Sequence, residues 1–182
     1  MPFAFGHLVP AWIVGKVSEK LGKTKKLLTR PEWALLLFGA ILPDIDYLLQ
    51  WGLGLNIHRV FTHSLFFAIL TAIIVYFGAR YIKEFKQDWN FINPRNYALA
   101  IFVGICIHII LDMAEFPGVP VFWPYTEWIY LFGSIGGWAS IINEGFHGSL
   151  EFYKLAYVSV IIDMAIGLVW IGYLFLVKRI KF

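Results

Sequence analysis

The sequence predicts an all-α membrane protein, a single helical bundle of four or five transmembrane helices that takes in residues 1–182, and three observations predict it. Hydrophobic residues make up 59% of the chain and charged residues only 15%, against roughly 45–50% and about 25% in soluble domains. The apolar residues fall into stretches near the length that a bilayer demands, about 20 residues for a hydrocarbon core roughly 30 Å thick. Lys and Arg, finally, gather in alternate connections between those stretches, as the positive-inside rule requires. The formal net charge of +3 is too small to suggest nucleic-acid binding, and a single cysteine, Cys106, cannot form an intramolecular disulfide. No low-complexity linker or internal repeat divides the chain.

Taken in order, Pro2 to Gly15 is a short first candidate span. No positive stretch precedes it and no small-residue cleavage site follows, so it reads as part of the mature protein. Glu32 to Trp51 is the next span, interrupted by Pro43 and two aspartates; Ser64 to Ile82, Tyr97 to Met113 and Leu155 to Val177 follow. The region from Met113 to Lys154 is rich in Gly, Pro and Trp and reads as loops and interfacial helix, with Trp123, Trp128 and Trp138 suited to the headgroup layer. The Lys16 to Arg30 loop holds six basic residues, the Arg80 to Arg95 connection four and the tail after Val177 three. Only Arg59 and Lys154 fall elsewhere. This bias predicts a plasma or inner membrane protein with a cytoplasmic C-terminus, and with Gly52 to His63 and Ala114 to Lys154 outside.

Ionisable groups inside apolar segments are costly and mark functional sites. In the predicted topology Asp44 and Asp46 sit late in an outward-running helix, and His108 and Asp112 sit late in another. His58 and His63 occupy the external loop and the start of the returning helix, and His7 joins them if the first segment crosses. Segments far apart in sequence thus bring the same chemistry to one depth. His108 and Asp112, four residues apart, share a helix face and can share a metal ion. Thr62 is placed to cap the helix that starts around His63. Pro43 disturbs the backbone beside Asp44 and Asp46, so that one can be a ligand and the other its hydrogen-bonding partner. Imidazole with carboxylate suits Zn, Fe or Mn. Arg59, beside such a cationic site, reads as a grip for an anionic substrate. Asp163, deep in the last span, is either a hydrogen-bonding partner within the bundle or a support to the site, while Glu144 and His147 read as solvated surface.

Gly6-His7-Leu8, Leu42-Pro43-Asp44-Ile45-Asp46, His58-Arg59-Val60-Phe61-Thr62-His63-Ser64, His108-Ile109-Ile110-Leu111-Asp112, and Gly118-Val119-Pro120 followed by Trp123-Pro124 together resemble a family of membrane-bound proteins described as metal-dependent hydrolases and typified by the YdjM inner-membrane protein. Val60 stands where that family usually shows Gly. A fainter likeness extends to the zinc-dependent phospholipase C and P1 nuclease group, whose ligand order is met by His7, Asp44, His63, His108 and Asp112 and prefers Asp44 over Asp46. The group's further His and Glu ligands have no counterpart here. The resemblance implies a divalent transition metal, zinc before others, as one or two ions. It also implies hydrolysis, and the headgroup depth of the site points to a phosphate ester of a lipid or lipid-linked substrate; Asp46 and His58 then read as ligands or proton acceptors and Arg59 as the anion clamp. The rival expectation is a transporter passing metal ions or protons through the same His/Asp cluster.

The orientation is checked with Asn56→Cys, Val119→Cys, Lys25→Cys and Lys86→Cys, each in a Cys106→Ser background, and an impermeant thiol reagent on intact cells. Labelling is expected at 56 and 119 only; labelling confined to 25 and 86 reverses the topology.

Overall fold

The computed structural model describes residues 4–21, 28–53, 58–86, 89, 91–114, 118–125, 127–131 and 150–178. Much of the basic Lys16 to Arg30 loop, Trp138, Glu144, His147 and the tail beyond Lys178 lie outside the described residues. The regular elements of the described chain are helices: α1 (Ala4–Leu21), α2 (Arg30–Gly39), a 3-10 turn (Leu42–Ile45), α3 (Asp46–Leu53), α4 (Leu65–Phe85), α5 (Pro94–Met113) and α6 (Leu150–Lys178). Among the described residues the only strand pairing is an isolated antiparallel bridge between Val119 and Ile129.

Local chemistry sets the helix starts. The Glu32 carboxylate accepts the Thr29 backbone N–H in a capping box, with Pro31 in the first turn of α2. Ser64 caps α4, its hydroxyl oxygen accepting from the Phe67 N–H at 3.2 Å. The expected cap, Thr62, has its hydroxyl committed to Asp46 instead, and the helix begins two residues further on. Asn93 caps α5 through the Asn96 N–H, followed by Pro94.

Glu32 to Trp51 is not one span. The helix stops at Gly39, and a turn closes at Ala40 and Ile41 before the 3-10 segment. Pro43 cannot donate a backbone bond, and Asp44 and Asp46 are drawn to partners elsewhere in the chain. Among the described residues two helices, α4 and α5, are long and apolar enough to cross a membrane; within α6 the apolar stretch Val160–Leu176 is shorter. The all-α class therefore stands, and among the described residues two helices meet the length and composition of a span. Exposed residues of α4, among them Ile69, Ile73, Ile74 and Phe77, form an apolar surface that suits hydrocarbon, not water.

α5 is the axis of the bundle, packed against α4 on one side and α2 on the other, with Ala68, Ile101, Ile105, Ile109, Val119 and Val121 at the core. The α2–α5 crossing depends on two glycines. A Cβ at Gly104 would lie 2.2 Å from the Leu36 carbonyl oxygen, and one at Gly39 would lie 2.5 Å from that of Ile101. Small residues let backbones approach in this way inside membranes. Gly104→Val is therefore expected to lower the thermal midpoint in detergent, overpacking of this kind costing about 1–3 kcal/mol. Gly78→Val, at a position with nothing within 4 Å, is the control that leaves it unchanged.

Candidate metal centre

The α2–α5 approach brings the Ala40 carbonyl to His108, whose Nδ1–H donates to it at 2.8 Å. A carbonyl can only accept, so this bond assigns the proton to Nδ1 and leaves the lone pair on Nε2. His63, on the turn before α4, is fixed by a longer chain. The Thr62 hydroxyl donates to Asp46 Oδ2 at 2.6 Å, so its oxygen accepts from His63 Nδ1 at 2.9 Å. The lone pair of His63 thus also lies on Nε2.

These two nitrogens face each other at 3.1 Å. Around them lie Asp44 Oδ1, 3.5 Å from His63 Nε2 and 3.6 Å from His108 Nε2, and Asp112 Oδ2, 3.2 Å and 3.6 Å from the same two atoms. Four lone-pair donors converge from the 3-10 turn, the loop and α5. Ligands about 2.0–2.1 Å from a tetrahedral ion stand roughly 3.4 Å apart. The five separations above, from 3.1 to 3.6 Å, bracket that value. His63 and His108 are fully buried and Asp112 nearly so, while the Asp44 side chain is 25% exposed. The donor set and its geometry fit a divalent cation.

His7 flanks the cage from α1. Its ring stacks on His108 at 3.8 Å and its Nε2 lies 3.6 Å from Asp112 Oδ1. Asp46 lies on the far side of His63, with Oδ2 3.5 Å from Nδ1. Its carboxylate accepts from His58 Nδ1 at 2.8 Å, the Arg59 backbone N–H at 3.1 Å and Thr62. That leaves a lone pair on His58 Nε2, a buried atom with no hydrogen-bond partner among the described residues. The Tyr47 ring stacks on His58 at 3.8 Å. Arg59 adopts φ 61°, the left-handed region, which its backbone bond to Asp46 helps to hold. Its buried guanidinium sets Nε 3.4 Å from Asp112 Oδ2.

Burial pushes the Asp44 and Asp46 carboxyls up, but the imidazoles of His63, His108 and His7 around Asp44, and the hydrogen bonds from His58 and Thr62 to Asp46, outweigh it and hold both below their ordinary value. Burial pushes His63 down, and the carboxylates of Asp112 and Asp44 beside its Nε2 more than reverse this, so that a proton added at that lone pair is stabilised. The cage therefore attracts positive charge, and a metal ion competes with a proton for it. Sequence reasoning brought together His7, Asp44, Asp46, His58, Arg59, His63, His108 and Asp112, and all lie in this one cluster. It missed the Ala40 carbonyl, which carries no side-chain signal, the relay through Thr62, which adjacency to His63 could have suggested, and Tyr47.

In comparisons with known proteins, the model of the family described as YdjM inner membrane protein matches residues 1–181. The likeness to the zinc-dependent phospholipase C and P1 nuclease group is not borne out. No curated protein and no solved structure matches.

Thr62→Val removes the oxygen that fixes His63 while keeping the side chain's shape. Its Zn2+ affinity, read by chelator competition, is expected to fall about 10-fold or more, as for other outer partners of metal ligands. Thr62→Ser should restore most of it, and equal affinity in all three proteins would show that the relay does not orient His63.

Proposed function

The chain belongs to the YdjM inner membrane protein family, and from that premise we propose that it is a metal-dependent hydrolase of phosphate esters, carried by lipids or lipid-linked molecules, with its centre near the extracytoplasmic face. One observation carries the metal: two imidazoles with their lone pairs turned toward each other and two carboxylates at tetrahedral-edge distances. Asp44, His63, His108 and Asp112 would hold the ion, zinc before others, with His7 beside them. Such an ion supplies Lewis acidity and makes water nucleophilic at neutral pH.

The chain's own residues supply the rest. His58, oriented by Asp46 through Nδ1, has its Nε2 lone pair available to take a proton. Arg59 contributes a fixed buried positive charge next to Asp112, which favours an anionic group nearby. Asp44 is the most exposed of the four cage residues, so the open side lies at the 3-10 turn. The loop that follows α5 is tied to the start of α4 by the Leu65 N–H to Val121 O bond, 2.9 Å, and exposes Phe122, Tyr125 and Trp128. Aromatic rings of this kind favour the headgroup layer. A lipid phosphate ester is the substrate class that such a setting supports. The spans beyond α4 and α5, and the cytoplasmic C-terminus, belong to this proposal and follow from the charge bias.

Elemental analysis of the purified protein is expected to find a near-stoichiometric transition metal, lost in His108→Ala. On a panel of phospholipids, lipid phosphates and an aryl phosphate diester in micelles, His108→Ala should abolish turnover. His58→Ala should keep the metal and lose roughly 10²–10⁴-fold in rate. No metal in the unmutated protein, with no thermal shift on adding it, defeats the proposal. Metal bound but no ester cleaved, together with ion flux in proteoliposomes, turns the break between α2 and α3 into evidence for transport.

A further inference from the structure

Asp163 lies thirteen residues into α6, in the apolar part of the helix, and is 4% exposed. A carboxylate there needs positive charge or hydrogen-bond donors. It finds both at the start of α1, where the backbone N–H groups of Phe5 and Gly6 donate to its two oxygens. The first N–H groups of a helix have no acceptor within it, and the helix dipole adds partial positive charge at that end. One turn further along α6, Gly167 leaves room for the Phe5 ring, whose nearest atoms would stand 2.5 Å from a Cβ added there. Trp12 meets Trp170 and Tyr173 edge-on beyond that.

The residue after Gly6 is His7. Its ring is stacked on His108 and close to Asp112, so its place at the cage depends on where α1 begins and how deep it sits. Towards the other end of the helix Gly15 is pressed against the Trp33 ring of α2. α1 is thereby gripped at both ends, and the grip nearer the centre is Asp163. We propose that Asp163 is a positioning residue for the metal centre: it latches the first turn of α1 to α6 and so sets His7 against His108 and Asp112. This rests on the metal reading above and assigns a task to a helix that contributes no ligand to the cage.

The test is Zn2+ titration against a fluorescent chelator, using the full chain in detergent. In Asp163→Asn one oxygen becomes an NH2 group facing an N–H donor, so the latch is broken with little change of shape. Zn2+ affinity is expected to fall about 10-fold, and His7→Ala should cost at least as much. If Asp163 acts through His7, adding Asp163→Asn to His7→Ala changes nothing further, since coupled residues are not additive. Asp163→Glu, which keeps the carboxylate, should recover part of the loss. Gly167→Ala displaces the same end of α1 without touching a polar group, and serves if Asp163→Asn does not fold. It too should weaken Zn2+ binding only while His7 is present. Unchanged affinity in folded Asp163→Asn or in Gly167→Ala overturns the proposal. So does a loss that is as large in the His7→Ala background as without it, because Asp163 then acts on the bundle at large. An unmutated protein that takes up no Zn2+ defeats the metal reading and this inference together, whereas Zn2+ binding that ignores Asp163 defeats the latch alone.

Discussion

Two imidazoles are forced to point their lone pairs at the same place, and the centre depends on that constraint. His108 cannot turn its proton inward while Nδ1–H is bound to the Ala40 carbonyl, and His63 cannot while the Thr62 oxygen holds its own. Acceptors facing acceptors, with carboxylates of Asp44 and Asp112 added, repel one another in a largely buried site. Such an arrangement persists only if something positive occupies its middle, or if the rest of the fold holds it in waiting. The Coulombic strain is local, while the structure that resists it extends across four segments of the chain.

That resistance begins with glycine. Gly39 and Gly104 let α2 and α5 approach closely enough for a backbone carbonyl to orient the His108 imidazole. The same approach brings α2 to its end. The chain then leaves the helix through the turn at Ala40 and Ile41, and the 3-10 geometry around Pro43 presents Asp44 and Asp46 to opposite nitrogens of a single imidazole, that of His63. A straight helix over Glu32 to Trp51 could not do this, since two residues apart on an α-helix are about 200° apart around its axis. The interrupted span is what allows one aspartate into the cage and sets the other behind it.

This explains which parts of the molecule were legible in the sequence. The His108 and Asp112 pair could be read directly because a single helix fixes their relation. The gathering of Asp44, His63 and His7 could be read because topology fixes depth. The break after Gly39 was visible only as a proline and two costly charges, since whether such a segment bends or breaks is decided by the partners those charges find. Thr62 was misread for a related reason: a hydroxyl next to a helix start normally caps it by accepting a backbone N–H, and here its proton goes to the buried Asp46 carboxylate and its oxygen accepts from His63 Nδ1 while Ser64 takes the cap. The Asp163 contact joins residues more than 150 positions apart, beyond any local pattern.

Charge balance adds a constraint that distances alone do not. Glu32 and Asp163 each have a helix start as partner, so the ionic groups of the centre are Asp44, Asp46, Asp112 and Arg59. With neutral imidazoles, three carboxylates against one guanidinium leave two negative charges in a largely buried cluster, and a single divalent ion cancels them. A second divalent ion would leave the same excess with the opposite sign, to be balanced only by an anionic ligand. Arg59 therefore has a meaning beyond that of a clamp. By pairing with Asp112 it removes one carboxylate charge from the account, so that a single divalent ion held by the cage would bring the site to neutrality, with the cage open along the edge at Asp44.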